Sequence, residues 1–312
     1  MRVDRLVRAG WLLVGVGVSL TGCRGGSPPD ERAAAEVAVA AADDTGAMVE
    51  LDRPARRVVS LVPSGTEILF ALGAGDRVVG RTDYDRGAEV LALPSVGGGL
   101  DPSLERLAIL EPDLVITWAE AGQSSLRAQL EPLGIAVFGL RSQDTSDIYR
   151  AIARVGHLVG RDSAAAALAS RIRDELDVVR ASVAGRTRPR VAYLVEHDPP
   201  MIAGTGTFIT QLIAVAGGDP AFPDVTSLWP QVSLEELVRR QPDVLLVPDL
   251  ESLGPVIARL PATAGWREMR AVREGRVERV PADLLSRPGP RIGEAARAVR
   301  DRLFPDAAAS RP

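Results

Sequence analysis

Residues 103–117 read SLERLAILEPDLVIT, and 130 positions further on residues 233–247 read SLEELVRRQPDVLLV. Six of the fifteen positions are identical: Ser, Leu, Glu, Leu, Pro and Asp. Each copy reads as a helix, a Pro-Asp turn and a strand whose unbroken apolar run suits burial on both faces. A repeating strand–helix–strand pattern accounts for the hydrophobicity of the two copies but not for their shared Glu and Pro-Asp. Two lobes of similar build account for both.

Further apolar, Val-rich runs at 57–62, 136–140 and 190–195 read as strands, with amphipathic stretches between them. Ser64 and Glu67 have the spacing of a capping box opening a helix that Gly73 closes. The longest helical pattern covers 162–184, free of Gly and Pro, with Ala165, Leu168, Ile172, Leu176 and Val179 along one side. Asp162 or Ser163 is placed to cap it and Gly185 to end it. Such a helix spans some 35 Å, enough to run from one lobe to the other. The expected fold is therefore α/β: two Rossmann-like lobes with parallel-rich sheets, joined by a single long α-helix, with a ligand cleft between them. A continuous connector predicts small adjustments on ligand binding rather than wide hinge closure.

Ahead of this body lies a processing signal. Arg2, Arg5 and Arg8 precede an apolar run at 11–20 that is too short to span a bilayer, and Leu20-Thr21-Gly22-Cys23 follows. The tetrapeptide resembles a bacterial lipobox, in which Cys23 is lipidated and becomes the new N-terminus. The expected organisation is a signal peptide at 1–22, a tether at 23–47, an N-terminal lobe at 48–160, a connecting helix at 161–186, a C-terminal lobe at 187–306 and a disordered tail at 307–312. The tether reading rests on Gly, Ser, Pro, Ala and acidic residues without an aromatic.

Composition excludes several chemistries. The 312 residues contain no Lys, one Cys and two His, so a Lys Schiff base, a GxxxxGK[ST] phosphate loop and a Cys-rich metal site are all ruled out. The net charge of −4 moves to −6 once three Arg and one Asp leave with the signal peptide, which speaks against a nucleic-acid partner. His157, in a helical pattern, reads as a partly covered surface residue. Glu196, His197 and Asp198 form the one trio that invites a metal-assisted, hydrolytic reading; adjacent side chains on an extended segment diverge, so a solvated turn is preferred. The glycines at 97–99 read as a flexible loop, and 203–207 as a lobe-edge loop leading to a helix capped by Thr207. Aromatics are only 4% of the chain, yet Tyr84, Trp118 and Trp229 all fall where strands end or loops begin. Ligands of open α/β sheets lie at the carboxyl ends of strands, so these three point to a cleft.

The segments RVVSLVPSGTEILFALG, LERLAILEPDLVITW, PPMIAG with WPQVSLEELVRRQPD, and DLLSRPGPRI resemble the substrate-binding proteins of ABC importers that bind cobalamin, haem or iron–siderophores. The likeness covers about 56–304 and is nearest to the cobalamin binders. It implies a corrinoid ligand, no enzymatic activity and no resident cofactor or metal. Delivery would be by a lipid-anchored extracytoplasmic monomer to a permease–ATPase complex. Carried over by position, Tyr84, Trp118, Met201 and Trp229 would contact the corrin ring, with Asp283 and Arg287 at its amide rim. Glu105 and Glu235, the paired acids of the repeat, would dock to the permease. Gly99 replaces a Trp of the cobalamin binders, and Gly98 stands where haem binders carry an iron-ligating Tyr. Iron–siderophore or haem binding is the alternative within the family.

Overall fold

The computed structural model describes residues 38–119 and 123–306; Cys23, the signal segment and residues 307–312 lie outside them. The N-terminal half opens with β1 (Val39–Ala42) and β2 (Met48–Leu51), an antiparallel hairpin. It continues through β3 (Val58–Ser60), α1 (Pro63–Ala71), β4 (Val78–Gly80), α2 (Ala88–Leu91), α3 (Leu104–Leu110), β5 (Leu114–Trp118), α4 (Gln123–Leu130), β6 (Ala136–Leu140) and α5 (Thr145–Leu158). Strands β4-β3-β5-β6 form one parallel sheet, with β3 and nearly all of β5 fully buried. That burial on both faces is why these strands lack polar alternation.

After α6 (Asp162–Ser182) the second half runs β7 (Arg190–His197), β8 (Pro200–Ile202), α7 (Phe208–Val215), β9 (Asp219–Pro220), α8 (Leu234–Arg240) and β10 (Val244–Pro248). It closes with α9 (Gly254–Arg259), α10 (Arg270–Arg273), β11 (Val277–Val280), α11 (Ala282–Leu285) and α12 (Ile292–Leu303). Its sheet has the order β11-β10-β7-β8; β8 is antiparallel, and β9 adds a short parallel pairing to β7. Helix α6 packs against α5 of the first lobe and α12 of the second. Its buried residues are Ala165, Leu168, Ala169, Ile172, Leu176 and Val179. A single core cluster runs from Val58 and Ile152 through Ile172 to Val191, Ile209 and Val299.

Three of the shared residues, Ser, Pro and Asp, have a structural reason. Ser103 and Ser233 cap α3 and α8, their hydroxyls accepting the backbone N–H of Arg106 and Glu236 at 3.3 and 3.1 Å. Both helices stop at a left-handed residue, Glu111 or Gln241, and the following Pro cannot continue the helix. The next Asp then ties the turn to the start of the adjacent strand. Asp113 accepts the backbone N–H groups of Arg56 and Arg57, and Asp243 accepts that of Arg190.

Three local expectations are corrected, the first being the cap of α6: Arg161 precedes the helix and no side chain caps it. Ser64 and Glu67 form no capping box: Pro63 sits at the first position of α1, Val62 precedes it without a side-chain cap, and the Ser64 hydroxyl has no partner. Pro at that position needs no N–H partner, which makes the cap dispensable. The tether does not reach residue 47, because residues 39–47 already belong to the packed hairpin. Its turn covers the exposed edge of β6: the Asp44 N–H donates to the Gly139 carbonyl, and the buried Asp43 carboxylate accepts the N–H groups of Thr45, Ala47 and Gly139. Asp43 also takes the Thr45 hydroxyl and an ion pair from Arg127. Composition hid this, since the contacts that order the hairpin lie nearly a hundred residues away.

Burial alone would raise the Asp43 pKa, but the hydrogen bonds from Thr45, Gly139 and Ala47 outweigh it and hold the carboxyl below its usual range. Asp43→Asn should therefore lower stability at neutral pH by about 3 kcal/mol, read by urea unfolding. A carboxyl depressed in the folded state contributes fully above its unfolded value, about pH 4. The contribution fades as pH falls through the folded value, so the gap between wild type and variant should narrow in acid.

Candidate functional site

A cavity of about 560 Å³ lies between the lobes at the carboxyl ends of β5 and β7. The N-terminal lobe contributes Trp118, the last residue of β5, and Ser142 and Gln143 from the loop after β6. Strand alternation aims Tyr193 and Val195 of β7 toward it; the intervening Leu194 packs into the separate core on the opposite face of the sheet. Met201 of β8, Phe208 at the start of α7, and Trp229 complete much of the apolar wall. Trp229 is 44% exposed, so one part of its indole is offered to whatever enters.

The lobes are tied together on two sides of this space. At the inner seam the Phe208 N–H donates to the Gln143 carbonyl at 2.7 Å. The Thr145 N–H and hydroxyl donate to Gln211 Oε1 at 2.9 and 2.7 Å. Leu285, Ser286 and Pro288 line the cavity from the segment between α11 and α12, while Arg287 turns away from it. Arg287 donates to the Tyr84 carbonyl at 2.9 Å and pairs with Glu67 of α1 at 3.4 Å and with Asp283 at 3.3 Å. A second hollow of about 380 Å³ lies beside this bridge, between α1 and residues 85–90. Burial pushes the Glu67 carboxyl up, against the opposing pull of Arg287 and Arg291.

Of the six residues expected at the ligand, the cavity thus gathers Trp118, Met201 and Trp229 and leaves out Tyr84, Asp283 and Arg287. Tyr84 is 61% exposed on the surface beside the Gly98 turn, and Asp283 is largely solvated. Arg287 is consumed by the lobe-to-lobe bridge, a role that depends on Glu67 lying 220 residues away and has no mark in the local sequence. Tyr193, Phe208, Ser142 and Gln143 were not singled out from the sequence. The period-2 alternation along β7 is the signal that could have found Tyr193, since it faces the same way as Val195.

The glycines at 97–99 are not a loose loop. The Asp83 N–H donates to the Gly97 carbonyl at 3.0 Å, and a Cβ on Gly99 would stand 2.3 Å from the Leu61 carbonyl oxygen and 3.8 Å from Trp118 Nε1. A side chain at 99 is therefore excluded by the backbone of the strand end, which leaves the Trp118 edge uncovered. Thr207 caps α7, accepting from the Thr210 N–H at 3.3 Å. Glu196, His197 and Asp198 line no part of the cavity, and His197 leans on Glu196 at 2.8 Å. No group of three His, Cys, Asp or Glu side chains converges as a metal site among the described residues. His157 pairs with Asp162 at 3.0 Å on the surface. Glu105 and Glu235 are both exposed in the first turns of α3 and α8, and neither makes an ion pair among the described residues. Their neighbour Glu236, by contrast, is held by Arg239 and Arg240.

Two parallel-sheet lobes on one connecting helix, with an apolar cavity between them, define a bilobal binding protein. A family profile described as periplasmic binding protein matches residues 58–284. The chain belongs to that family, the substrate-binding proteins of ABC importers. It is 30% identical over 302 residues to YvrC of Bacillus subtilis, described as an uncharacterized ABC transporter substrate-binding lipoprotein, covering 93% of this chain and 94% of the relative. It is 31% identical over 306 residues to a cobalamin-binding protein of Halobacterium salinarum, covering 91% and 80% respectively. Among solved structures it is similar to the apo haem-binding protein RhuT of Roseiflexus, with a TM-score of 0.71 and 29% identity over 81% of this chain and 99% of that one.

Arg287→Ala removes a bridge between lobes without altering the cavity lining. It should cost about 2 kcal/mol in urea unfolding and speed hydrogen exchange at residues 82–86, with a smaller effect on ligand affinity. A loss of affinity exceeding the loss of stability would instead make Arg287 a ligand contact.

Proposed function

We propose that this chain captures a corrinoid, with cobalamin the first candidate, and delivers it to a permease–ATPase complex without catalysing a reaction. The observation that carries the reading is the apolar, aromatic cavity between Trp118, Met201 and Trp229, whose flat walls suit a macrocycle. The cobalamin-binding relative, of which the match covers 80%, supports it. No helix among the described residues is long and apolar enough to cross a membrane. Attachment is assigned to lipid on Cys23, outside the cytoplasm, a reading supported by the lipoprotein name of the Bacillus relative. Tyr84 and Asp283 are retained as outer contacts, reached when a ligand larger than the cavity extends to its mouth; Arg287 is kept for the lobe bridge.

Haem is the second reading, favoured by the likeness to a haem-binding structure. The glycine at position 98 supplies no iron ligand there. The hydrolytic reading has no geometric support: its three residues are not among the residues lining the cavity, and one of its two carboxylates, Glu196, is engaged by His197.

Glu105 and Glu235 are the proposed docking acids. Both are unpaired at equivalent places in the repeated helices, as a partner with two-fold related cationic sites requires.

Calorimetric titration with cyanocobalamin, hemin and a ferric siderophore tests the ligand assignment, and saturable heat is expected with cyanocobalamin. Trp229→Ala should weaken that binding by about 2 kcal/mol, roughly thirtyfold; unchanged affinity would remove Trp229 from the site. Reversing Glu105 and Glu235 to Arg should abolish cellular corrinoid uptake while ligand affinity in vitro is preserved. Uptake persisting at the wild-type rate would show that docking uses another surface.

A further inference from the structure

None of the described residues lining the interlobe cavity carries a charged side chain. A carboxylate pressed into such a wall loses its hydration without gaining a counter-ion, whereas a neutral carboxamide loses far less and recovers it through hydrogen bonds. The cavity lining supplies such bonds. Tyr193 is 5% exposed, yet its hydroxyl has no hydrogen-bond partner among the described residues. The Ser142 hydroxyl is also buried and unpartnered. The Gln143 side-chain amide makes no bond among the described residues either, although its backbone carbonyl is fastened to the Phe208 N–H. Buried polar groups are paired in the great majority of folded proteins, so the buried, unpartnered Ser142 hydroxyl, together with the unengaged Tyr193 hydroxyl and Gln143 amide on the same cavity lining, marks the place of a ligand group. Burial also pushes the Tyr193 phenol up, keeping it a neutral O–H donor.

Building on the corrinoid reading, we propose that Tyr193, Gln143 and Ser142 form a subsite for a primary carboxamide on the edge of the ligand. This subsite, set in an uncharged wall, selects amide-bearing macrocycles over carboxylate-bearing ones. Tyr193 donates its O–H to the amide carbonyl. Gln143 can pair head to tail with the same group, giving an N–H and taking one, and Ser142 satisfies a remaining lone pair or N–H. The two tryptophans hold the ring by contact; the polar trio determines which edge goes in.

The test compares cyanocobalamin with its monocarboxylates, in which one peripheral amide is hydrolysed to the acid. Wild type, Tyr193→Phe and Gln143→Met are titrated by calorimetry, with thermal unfolding to verify that each variant is folded. Wild type should bind cyanocobalamin at least tenfold more tightly than the monocarboxylate whose acid occupies the subsite. That preference should shrink below about pH 4.5, where the acid is neutral. Tyr193→Phe should lose about tenfold in affinity for the amide and little for the acid, a difference that mere packing at residue 193 would not produce. Cyanocobalamin binding that is tight in wild type and unchanged in both variants, or equal for every monocarboxylate, overturns the subsite and leaves the corrinoid reading standing. No cyanocobalamin binding by folded wild type, with hemin or a ferric siderophore bound instead, overturns the corrinoid reading and the subsite together.

Discussion

Both lobes pack on one helix. The apolar side of α6, from Ala165 through Ile172 to Val179, is buried against α5 of the first lobe and α12 of the second, so the two halves share one core cluster besides the separate one that each keeps. Moving one lobe relative to the other would open that close-packed surface to water, at roughly 25 cal/mol for each Å² of apolar area. The cavity, the seam at Gln143 and Phe208 and the Arg287 bridge all inherit their spacing from this constraint. The helix packing, the seam and the bridge together favour a stiff, preformed binding cleft.

The polar anchors follow a common logic. Asp113 and Asp243 each collect backbone N–H groups where a turn meets a strand, and Asp43 does the same for the hairpin at the edge of β6. A carboxylate accepting several backbone donors satisfies groups that would otherwise be stranded near the core, and covering a sheet edge blocks pairing with another chain. In the binding cavity the pattern is inverted. There, among the described residues, the side-chain polar groups of Tyr193, Ser142 and Gln143 are left without partners and no lining side chain is charged. The same chain thus pairs its polar groups where they serve stability and leaves them open where a ligand is to complete them.

Much of this was legible in the sequence. The five apolar runs became β3, β5, β6, β7 and β10 within a few residues, because strands buried on both faces cannot tolerate polar positions. The spacing of Ala165, Leu168, Ile172, Leu176 and Val179 marked the buried side of α6. Of the three aromatics read at strand ends or loop starts, Trp118 and Trp229 meet in the cavity, where Met201, carried over by resemblance, joins them, and Tyr84 does not. Ser64 misled because its spacing to Glu67 mimics a cap, while Pro63 starts the helix and Glu67 is drawn to Arg287 instead. Tyr193 passed unnoticed inside an apolar strand, where a tyrosine in a core and a tyrosine facing a cavity read alike.

Periodicity, turn chemistry and the internal repeat are local properties, and they were enough to dictate two α/β lobes, the connecting helix and the paired exposed acids. Which side chains share a space is a long-range property. Arg287 and Glu67 are separated by 220 residues, and Asp43 and Gly139 by 96. Backbone direction and packing alone decided that Arg287 would bridge the lobes, that Gly99 would lie under the Leu61 carbonyl, and that an uncharged wall with idle hydroxyls would face the tryptophans.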